Sequence, residues 1–342
     1  MKGRYHFRVK SKKTVFEFDI KRNITVLKGD SATGKTTLLH MMYEYLRAGR
    51  ESGYSVSADC AYYVYLRREI GRSWQDILFP LENTVVFIEE NNHFVFSKEF
   101  AQFVRASGNY FVLVSRSPLK MLPYSIHEIY EIILSTKHGS VRESYHELKE
   151  LYSNYPVTEN NRADIVITED SNSGYQFFSK LFENRQVVSA RGSSRILDRL
   201  KELQQGGLDL LAVADGAAFG AEIETCLEYS MSRTGQRIAV WMPESFEYLI
   251  LQSGLIPFAE LQKILASVSD YVEAKDFESW EQFFTQLLIR LTYKKSYRYS
   301  KKLLDDYYLQ EKNVHKIVAV FPDAVKCYLK TGMGDEGSCQ DT

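Results

Sequence analysis

The stretch best suited to chemistry is a glycine-containing loop between an apolar run and a run of helix formers. It has the pattern G-x-x-x-x-G-K-T and consists of Gly29, Asp30, Ser31, Ala32, Thr33, Gly34, Lys35, Thr36 and Thr37. Its two glycines let successive backbone N–H groups converge on one phosphate, and the positive end of the following helix faces the same point. Lys35 suits the outer phosphates of a nucleotide, and the Thr36 hydroxyl suits Mg²⁺. We therefore expect a nucleotide-binding loop here.

A second apolar run, residues 83–88, is followed directly by two carboxylates, Glu89 and Glu90. The carboxyl ends of parallel strands share one edge of a sheet, so these acids are expected beside the glycine loop. Glu89 would help to hold Mg²⁺, and Glu90 would act as the base that activates water. Asp is more usual at the first of these two positions.

These features together resemble those of P-loop ATPases of the AAA or ABC type, over residues 1–153. A third apolar run, residues 110–114, ends at Ser115, Arg116 and Ser117. Arg116 either faces the γ-phosphate, as sensor residues do in many ATPases, or caps a surface helix. The chain contains neither the Leu-Ser-Gly-Gly signature of ABC proteins nor the Asn-Lys-x-Asp motif of G proteins, so the resemblance favours ATP over GTP.

The elements that must position these residues follow from hydrophobic periodicity. The first half is expected to contain a hairpin over residues 4–20, further strands and several helices. Helices are expected at 35–46, 74–81 and 97–106, and strands at 24–27, 61–66, 83–88 and 110–114. Residues 124–134 and 140–152 are expected to close the sheet with another strand and then a helix. Residues 154–162 are polar and aperiodic, and we interpret them as a linker.

Strands and helices alternate again from residue 163 to residue 257, which predicts a second domain with a parallel sheet. Glu169 and Asp170 follow its first strand, Gly192 follows the second, and Asp215 begins an Asp-x-x-x-x-Gly segment after the third. Acids at the carboxyl ends of parallel strands are typical of active sites in this class of sheet.

This order of features resembles the Toprim domain of topoisomerases, primases and overcoming-lysogenization-defect nucleases. The resemblance implies that Glu169 acts in acid/base chemistry and that Asp215 holds Mg²⁺, with both residues near a metal that cleaves or joins phosphodiesters. Ala217 stands where the family has a second Asp, which leaves one carboxylate fewer for a two-metal mechanism. Three other acids are candidates to replace it: Asp170, Glu222 and Glu244.

Residues 258–330 have helical periodicity and include the basic segment 292–302, in which lysines and an arginine alternate with tyrosines. Such a segment suits phosphate contact and base stacking. The alternative is the solvated face of a helix that continues through Leu303, Leu304, Asp305 and Asp306. Residues 331–342 are rich in glycine and polar residues and are expected to be disordered.

Composition limits the classes of protein to which the chain can belong. Its 342 residues have a net charge of −1, so any nucleic-acid partner must bind a local patch. The four cysteines have neither metal-ligand nor disulfide spacing, and no apolar run approaches the length of a membrane span. We expect a cytoplasmic α/β protein that does not bind membranes.

The favoured interpretation is an ATP-hydrolysing protein, with ATP and Mg²⁺ as cofactors, whose nucleotide state controls a Toprim-like domain acting on DNA or RNA. This pairing of domains is similar to that of prokaryotic defence nucleases and mobile-element proteins. The main alternative is an ATP-gated assembly or effector module that binds a partner protein or further copies of itself and whose Toprim-like domain is inactive. A small-molecule kinase is a third possibility, but the chain lacks a lid-like arginine cluster.

Overall fold

A computed structural model describes residues 1–29, 33–66, 71–135, 143–152, 163–203, 207–232 and 238–330. The chain folds as two compact units, and both are α/β. The first contains residues 1–154 and 263–280, and the second contains residues 155–262 and 281–342. The predicted linker 154–162 and the predicted disordered tail 331–342 lie outside the described residues.

The first unit is built on nine strands and three helices of the described chain. Its strands are β1 (Tyr5–Lys10), β2 (Thr14–Ile20), β3 (Ile24–Leu27), β4 (Ser55–Ala58), β5 (Ala61–Tyr65), β6 (Thr84–Ile88), β7 (Tyr110–Val114), β8 (Ile129–Leu134) and β9 (Ser144–Glu150). Its helices are α1 (Lys35–Ala48), α2 (Trp74–Leu78) and α3 (Lys98–Ala106). The predicted hairpin and the predicted first strand and helix are therefore present.

The nine strands form one mixed sheet in the order β4-β1-β2-β9-β8-β3-β7-β6-β5. β3 lies between β7 and β8 and is parallel to both, and β6 and β5 extend the parallel part. Every residue of β3, β6 and β7 is buried, as expected for parallel strands covered on both faces. The two edge strands, β4 and β5, are separated in sequence by only Asp59 and Cys60. The sheet must therefore curl so that its edges approach each other, and α1 packs against β1, β4 and β5.

One prediction for the first unit was wrong. Residues 144–150 form strand β9 rather than part of a helix, pairing antiparallel with β8 and parallel with β2. The helix-forming residues of this segment favour a helix locally, but pairing on both sides satisfies the backbone and overrides that preference. Strand β4, which pairs antiparallel with β1, forms in a stretch for which no element was predicted.

The second unit contains four parallel strands in the order β11-β10-β12-β13. They are β10 (Ile165–Thr168), β11 (Gln186–Ser189), β12 (Leu210–Val213) and β13 (Ile238–Trp241). Helices α4 (Ser173–Leu181), α5 (Ile196–Leu203), α6 (Ile223–Met231) and α7 (Phe246–Gln252) alternate with or follow them. The predicted alternation of strand and helix is confirmed.

This strand order has a topological consequence. From β10 the chain crosses outward to β11, and then returns past β10 to β12 and β13. The direction of winding therefore reverses between β10 and β12, and a crevice opens at the carboxyl ends of these two strands. Ligand sites of open parallel sheets are found at such switch points.

The predicted helical region 258–330 is divided between the two units. It contains α8 (Leu261–Ala266), α9 (Trp280–Thr292), α10 (Asp306–Leu309), α11 (Glu311–Ala319) and α12 (Asp323–Lys330). Residues 263–280 belong to the first unit, whereas 281–330 belong to the second. Residues 303–305 are not helical, contrary to prediction, because the Asp305 side chain caps α10 by accepting from Tyr307 N. No helix of the described segments is both long and apolar enough to cross a bilayer.

Candidate functional site

The glycine loop follows β3, an interior strand of the first unit's sheet. Gly29 has a φ of +116°, and a Cβ atom there would lie 3.8 Å from the Lys35 ammonium nitrogen. The Lys35 side chain is buried and folds back across the loop, where its Nζ atom donates to Gly29 O at 2.7 Å and to Thr33 Oγ1 at 2.8 Å. The predicted binding residues Asp30, Ser31 and Ala32 lie outside the described residues. The Lys35 ammonium is thus held against Gly29 and Thr33 of the loop.

Helix α1 begins immediately after the loop. Gly34 precedes its first turn with a φ of +98°, and its carbonyl oxygen accepts from Leu38 N at 2.8 Å. Thr36 and Thr37 lie in that first turn, and both are exposed. The Thr36 hydroxyl is therefore available to a metal ion. A helix also leaves its first N–H groups without a carbonyl partner of its own, and these groups suit an anion.

Three charged side chains lie where β6 and β7 end. Glu89 and Glu90 follow β6, and both are half-buried. The Arg116 side chain, which follows β7, places its Nε atom 2.9 Å from Glu90 Oε1. The arginine thus contacts the predicted catalytic base, a contact that the sequence did not predict.

The order of the strands fixes how far these groups lie from the loop. β7 lies between β3 and β6, so the end of β6 is two strands, or about 10 Å, from the end of β3. This separation is too long for a direct contact between the acids and the loop backbone. It is of the size that a triphosphate and a hydrated Mg²⁺ would span, and Mg²⁺ usually takes several ligands from phosphates and water rather than from the protein.

The second unit has a cavity at its switch point, between the ends of β10 and β12. Its volume of about 20 Å³ is enough for one water molecule or one ion. Its polar lining consists mainly of carboxylates and a lysine: Glu169, Asp170, Asp215, Glu247 and Lys301. Both of the predicted acids, Glu169 and Asp215, are therefore brought together.

A hydrogen bond connects the Glu169 side chain to the backbone of Asp215. Asp215 N donates to Glu169 Oε2 at 2.9 Å, and Asp215 Oδ1 accepts from Phe246 N at 3.2 Å. Burial raises the pKa of Glu169 to about 7, with the Glu281 and Asp170 charges adding to the effect. Burial also raises the pKa of Asp215 well above its ordinary value, and the charges of Glu281 and Glu169 act in the same direction. At least one of the pair is therefore able to keep a proton near neutral pH.

Glu247 lies in the first turn of α7 and is only 1% exposed, although the sequence did not single it out. Its Oε1 atom accepts from the Tyr299 hydroxyl at 2.7 Å, and that hydroxyl also lies 2.8 Å from Ser173 Oγ. Burial raises the pKa of Glu247 in spite of the nearby Lys301 charge and the bond from Tyr299. In the sequence, the one indication of a site at Glu247 was its position four residues after Pro243, which lies just beyond the end of β13.

The candidate replacements for the absent second Asp behave differently. Ala217 is buried, and its N–H donates to Glu244 O at 3.0 Å, so this segment is fixed by backbone bonds. Asp170 lines the cavity, and its Oδ1 atom accepts from Tyr175 N at 3.1 Å. Glu222 and Glu244 are not among the cavity residues. Of the three candidates, only Asp170 lines the cavity.

The basic segment 292–302 does not present its tyrosines as an open stacking surface. Tyr299 is 1% exposed, and the Tyr297 ring stacks on Tyr307 with 4.2 Å between the ring centroids. Tyr293 is exposed, with the Arg298 guanidinium 4.9 Å from its ring centroid. Lys301 lines the acidic cavity rather than pointing away from it. The segment thus contributes Tyr299 and Lys301 to the interior of the second unit, whereas its other four cations are exposed: Lys294, Lys295, Arg298 and Lys302.

Within the described ranges, no three His, Cys, Asp or Glu side chains are arranged to hold a metal ion. Two cavity acids are already engaged, because Asp170 accepts from Tyr175 N and Glu247 accepts from Tyr299. The cavity lysine, Lys301, is paired with Glu281. Comparison with protein-family models, curated proteins and solved structures finds no match to this chain.

Proposed function

We propose that the first unit is a P-loop ATPase whose nucleotide state controls the second unit. The main support for this proposal is the position of the Lys35 ammonium, which Gly29 O and Thr33 Oγ1 hold across the G-x-x-x-x-G-K-T loop. Both of these acceptors are neutral oxygens. An anionic phosphate oxygen makes a stronger, charge-assisted bond to the same ammonium, so a nucleotide can replace them.

The other groups at this sheet edge have matching roles. Mg²⁺ bridges the outer phosphates and neutralises charge during phosphoryl transfer. Thr36, exposed in the first turn of α1, and Glu89 would hold that ion, directly or through water. Glu90 would orient the attacking water, and Arg116, which already contacts Glu90, is within reach of the same region. The pair of acids supports hydrolysis over transfer to a small-molecule acceptor.

For the second unit we propose a Toprim-like domain that acts on nucleic acid. The convergence of Glu169 and Asp215 at the switch point supports this proposal, and a divalent cation held by these two acids would supply charge neutralisation at a phosphodiester. The alternative, an inactive domain in an ATP-gated assembly, is favoured by Ala217 at the expected second Asp and by the engagement of the neighbouring acids. The catalytic domain and the inactive domain differ in one measurable property, which is metal-dependent cleavage of nucleic acid.

The first experiment measures ATP hydrolysis by the purified chain with Mg²⁺, with and without DNA or RNA. Lys35→Ala is expected to abolish ATP binding, and Glu90→Gln is expected to keep binding but to lose at least tenfold in turnover. Lys28→Ala, one residue before the motif, is the matched control and should retain activity. Turnover that is equal in wild type and in both site variants would show that hydrolysis takes place elsewhere.

A second experiment addresses the second unit. Supercoiled plasmid and single-stranded RNA are incubated with wild type, Asp215→Ala and Glu222→Ala, with Mg²⁺ or Mn²⁺ and with ATP. Cleavage that is lost in Asp215→Ala and kept in Glu222→Ala is expected for a catalytic domain. Cleavage that survives Asp215→Ala would overturn the assignment of this site, and ATP binding without any cleavage would favour the assembly module.

A further inference from the structure

Lys301 has an unexpected place in the second unit. It belongs to the most basic segment of the chain, yet its side chain reaches the acidic cavity. Its ammonium forms an ion pair with Glu281 and lies 4.0 Å from Glu247 Oε1. About a third of the side chain remains exposed to solvent.

The backbone on both sides of Lys301 is anchored. Two residues earlier, the buried Tyr299 hydroxyl bonds to Glu247. Lys301 O itself accepts from Ser173 N at 2.9 Å, and Leu304 N donates to Gln176 Oε1 at 3.0 Å. The lysine therefore reaches the cavity because the fold holds its backbone there.

The charge balance of the cavity depends on this residue. The same ammonium is the positive charge that acts on each of four cavity acids: Glu169, Asp170, Asp215 and Glu247. Glu281 adds a fifth carboxylate to the cluster. Several carboxylates close together in a poorly solvated space need a cation, and in this structure Lys301 supplies one.

We propose that Lys301 is the resident counter-cation of this acid cluster and competes with a divalent ion for it. A divalent ion at Glu169 and Asp215 would be repelled by an ammonium in the same small cavity, and the lysine would have to move outward toward solvent. Occupancy by the lysine thus keeps the affinity for metal low. This inference rests on the proposed role of Glu169 and Asp215 as a cation site.

Isothermal titration calorimetry of the full chain with Mn²⁺, after removal of metal with EDTA, tests the proposal. Lys301→Met keeps the apolar stem and removes the charge, and Lys302→Met, at the exposed neighbouring residue, is the matched control. Lys301→Met is expected to bind Mn²⁺ at least tenfold more tightly than wild type, whereas Lys302→Met should match wild type. The Mn²⁺-dependent rise in melting temperature should be larger in Lys301→Met and should disappear when Asp215→Asn is added.

If Lys301→Met does not fold, the double variant Glu281→Gln/Lys301→Met removes both partners of the ion pair, so that Glu281 is not left as an unpaired charge. It is expected to show the same gain in affinity, because Glu169 and Asp215 remain. Equal or weaker Mn²⁺ binding without the lysine would overturn the proposal for Lys301 alone. No Mn²⁺ binding by any variant would overturn the cation site itself, and ATP hydrolysis in the same preparations reports separately on the first unit.

Discussion

The pKa of Glu169 makes a quantitative prediction about the stability of the second unit. Its carboxyl has a pKa of about 7 in the folded chain, against an ordinary value of 4.5, mainly because it is buried. The folded state therefore binds this proton more tightly than the unfolded state does. The stabilisation is fully present below pH 4.5 and is lost as the pH rises through about 7. The two pKa values differ by about 2.5, and at 1.36 kcal/mol per pKa unit this difference corresponds to about 3 kcal/mol of unfolding free energy.

Glu169→Gln should remove this dependence, because an amide does not titrate. Between pH 4.5 and pH 7.5, wild type should lose up to about 3 kcal/mol more unfolding free energy than the variant. Glu183→Gln is the control, since Glu183 is an exposed acid of the same unit that pairs with Lys180 at the surface. It should follow the wild-type curve.

Urea unfolding at several pH values, in EDTA, measures this effect. The chain has three tryptophans, Trp74, Trp241 and Trp280, of which only Trp241 belongs to the second unit. A common Trp74→Phe/Trp280→Phe background therefore makes fluorescence report on the second unit alone. Parallel stability curves for wild type and Glu169→Gln across this pH range would refute the assignment of a buried, protonated Glu169.

Two further perturbations test the buried pair and the loop. Tyr299→Phe leaves the Glu247 carboxylate without its hydroxyl donor and should lower the free energy of unfolding in urea by about 2 kcal/mol. Tyr308→Phe loses a bond to a neutral carbonyl and should lower it by about 1 kcal/mol. Equal costs for the two variants would contradict this reasoning. Gly34→Ala places a Cβ atom at a φ of +98° and should weaken ATP binding at least tenfold in a fluorescent-nucleotide titration. Gly53→Ala also has a positive φ, +75°, but has no neighbour within 4 Å and should leave binding unchanged; loss of binding in both variants would show a global effect.

Several features of this protein were determined by the local sequence. The segment from Gly29 to Thr36 is predicted to bind phosphate from local sequence alone, because the motif consists of the spacing of its glycines and lysine. The buried strands β3, β6, β7, β10, β12 and β13 were predicted because continuous apolar runs bounded by polar turns have few alternatives. The acids Glu89 and Glu169 were found for the same reason, since each directly follows such a run.

Other features depend on pairing and packing between distant segments. β9 forms as a strand because β2 and β8 offer backbone partners on both sides, and no local signal reports those partners. Glu247 and Glu281 join Glu169 only because α7 and α9 pack at the same end of the second sheet. The direction of the Lys301 side chain was decided in the same way: its sequence neighbours suggested an exposed basic face, but a cluster of poorly solvated carboxylates attracts the nearest ammonium that the fold brings within reach.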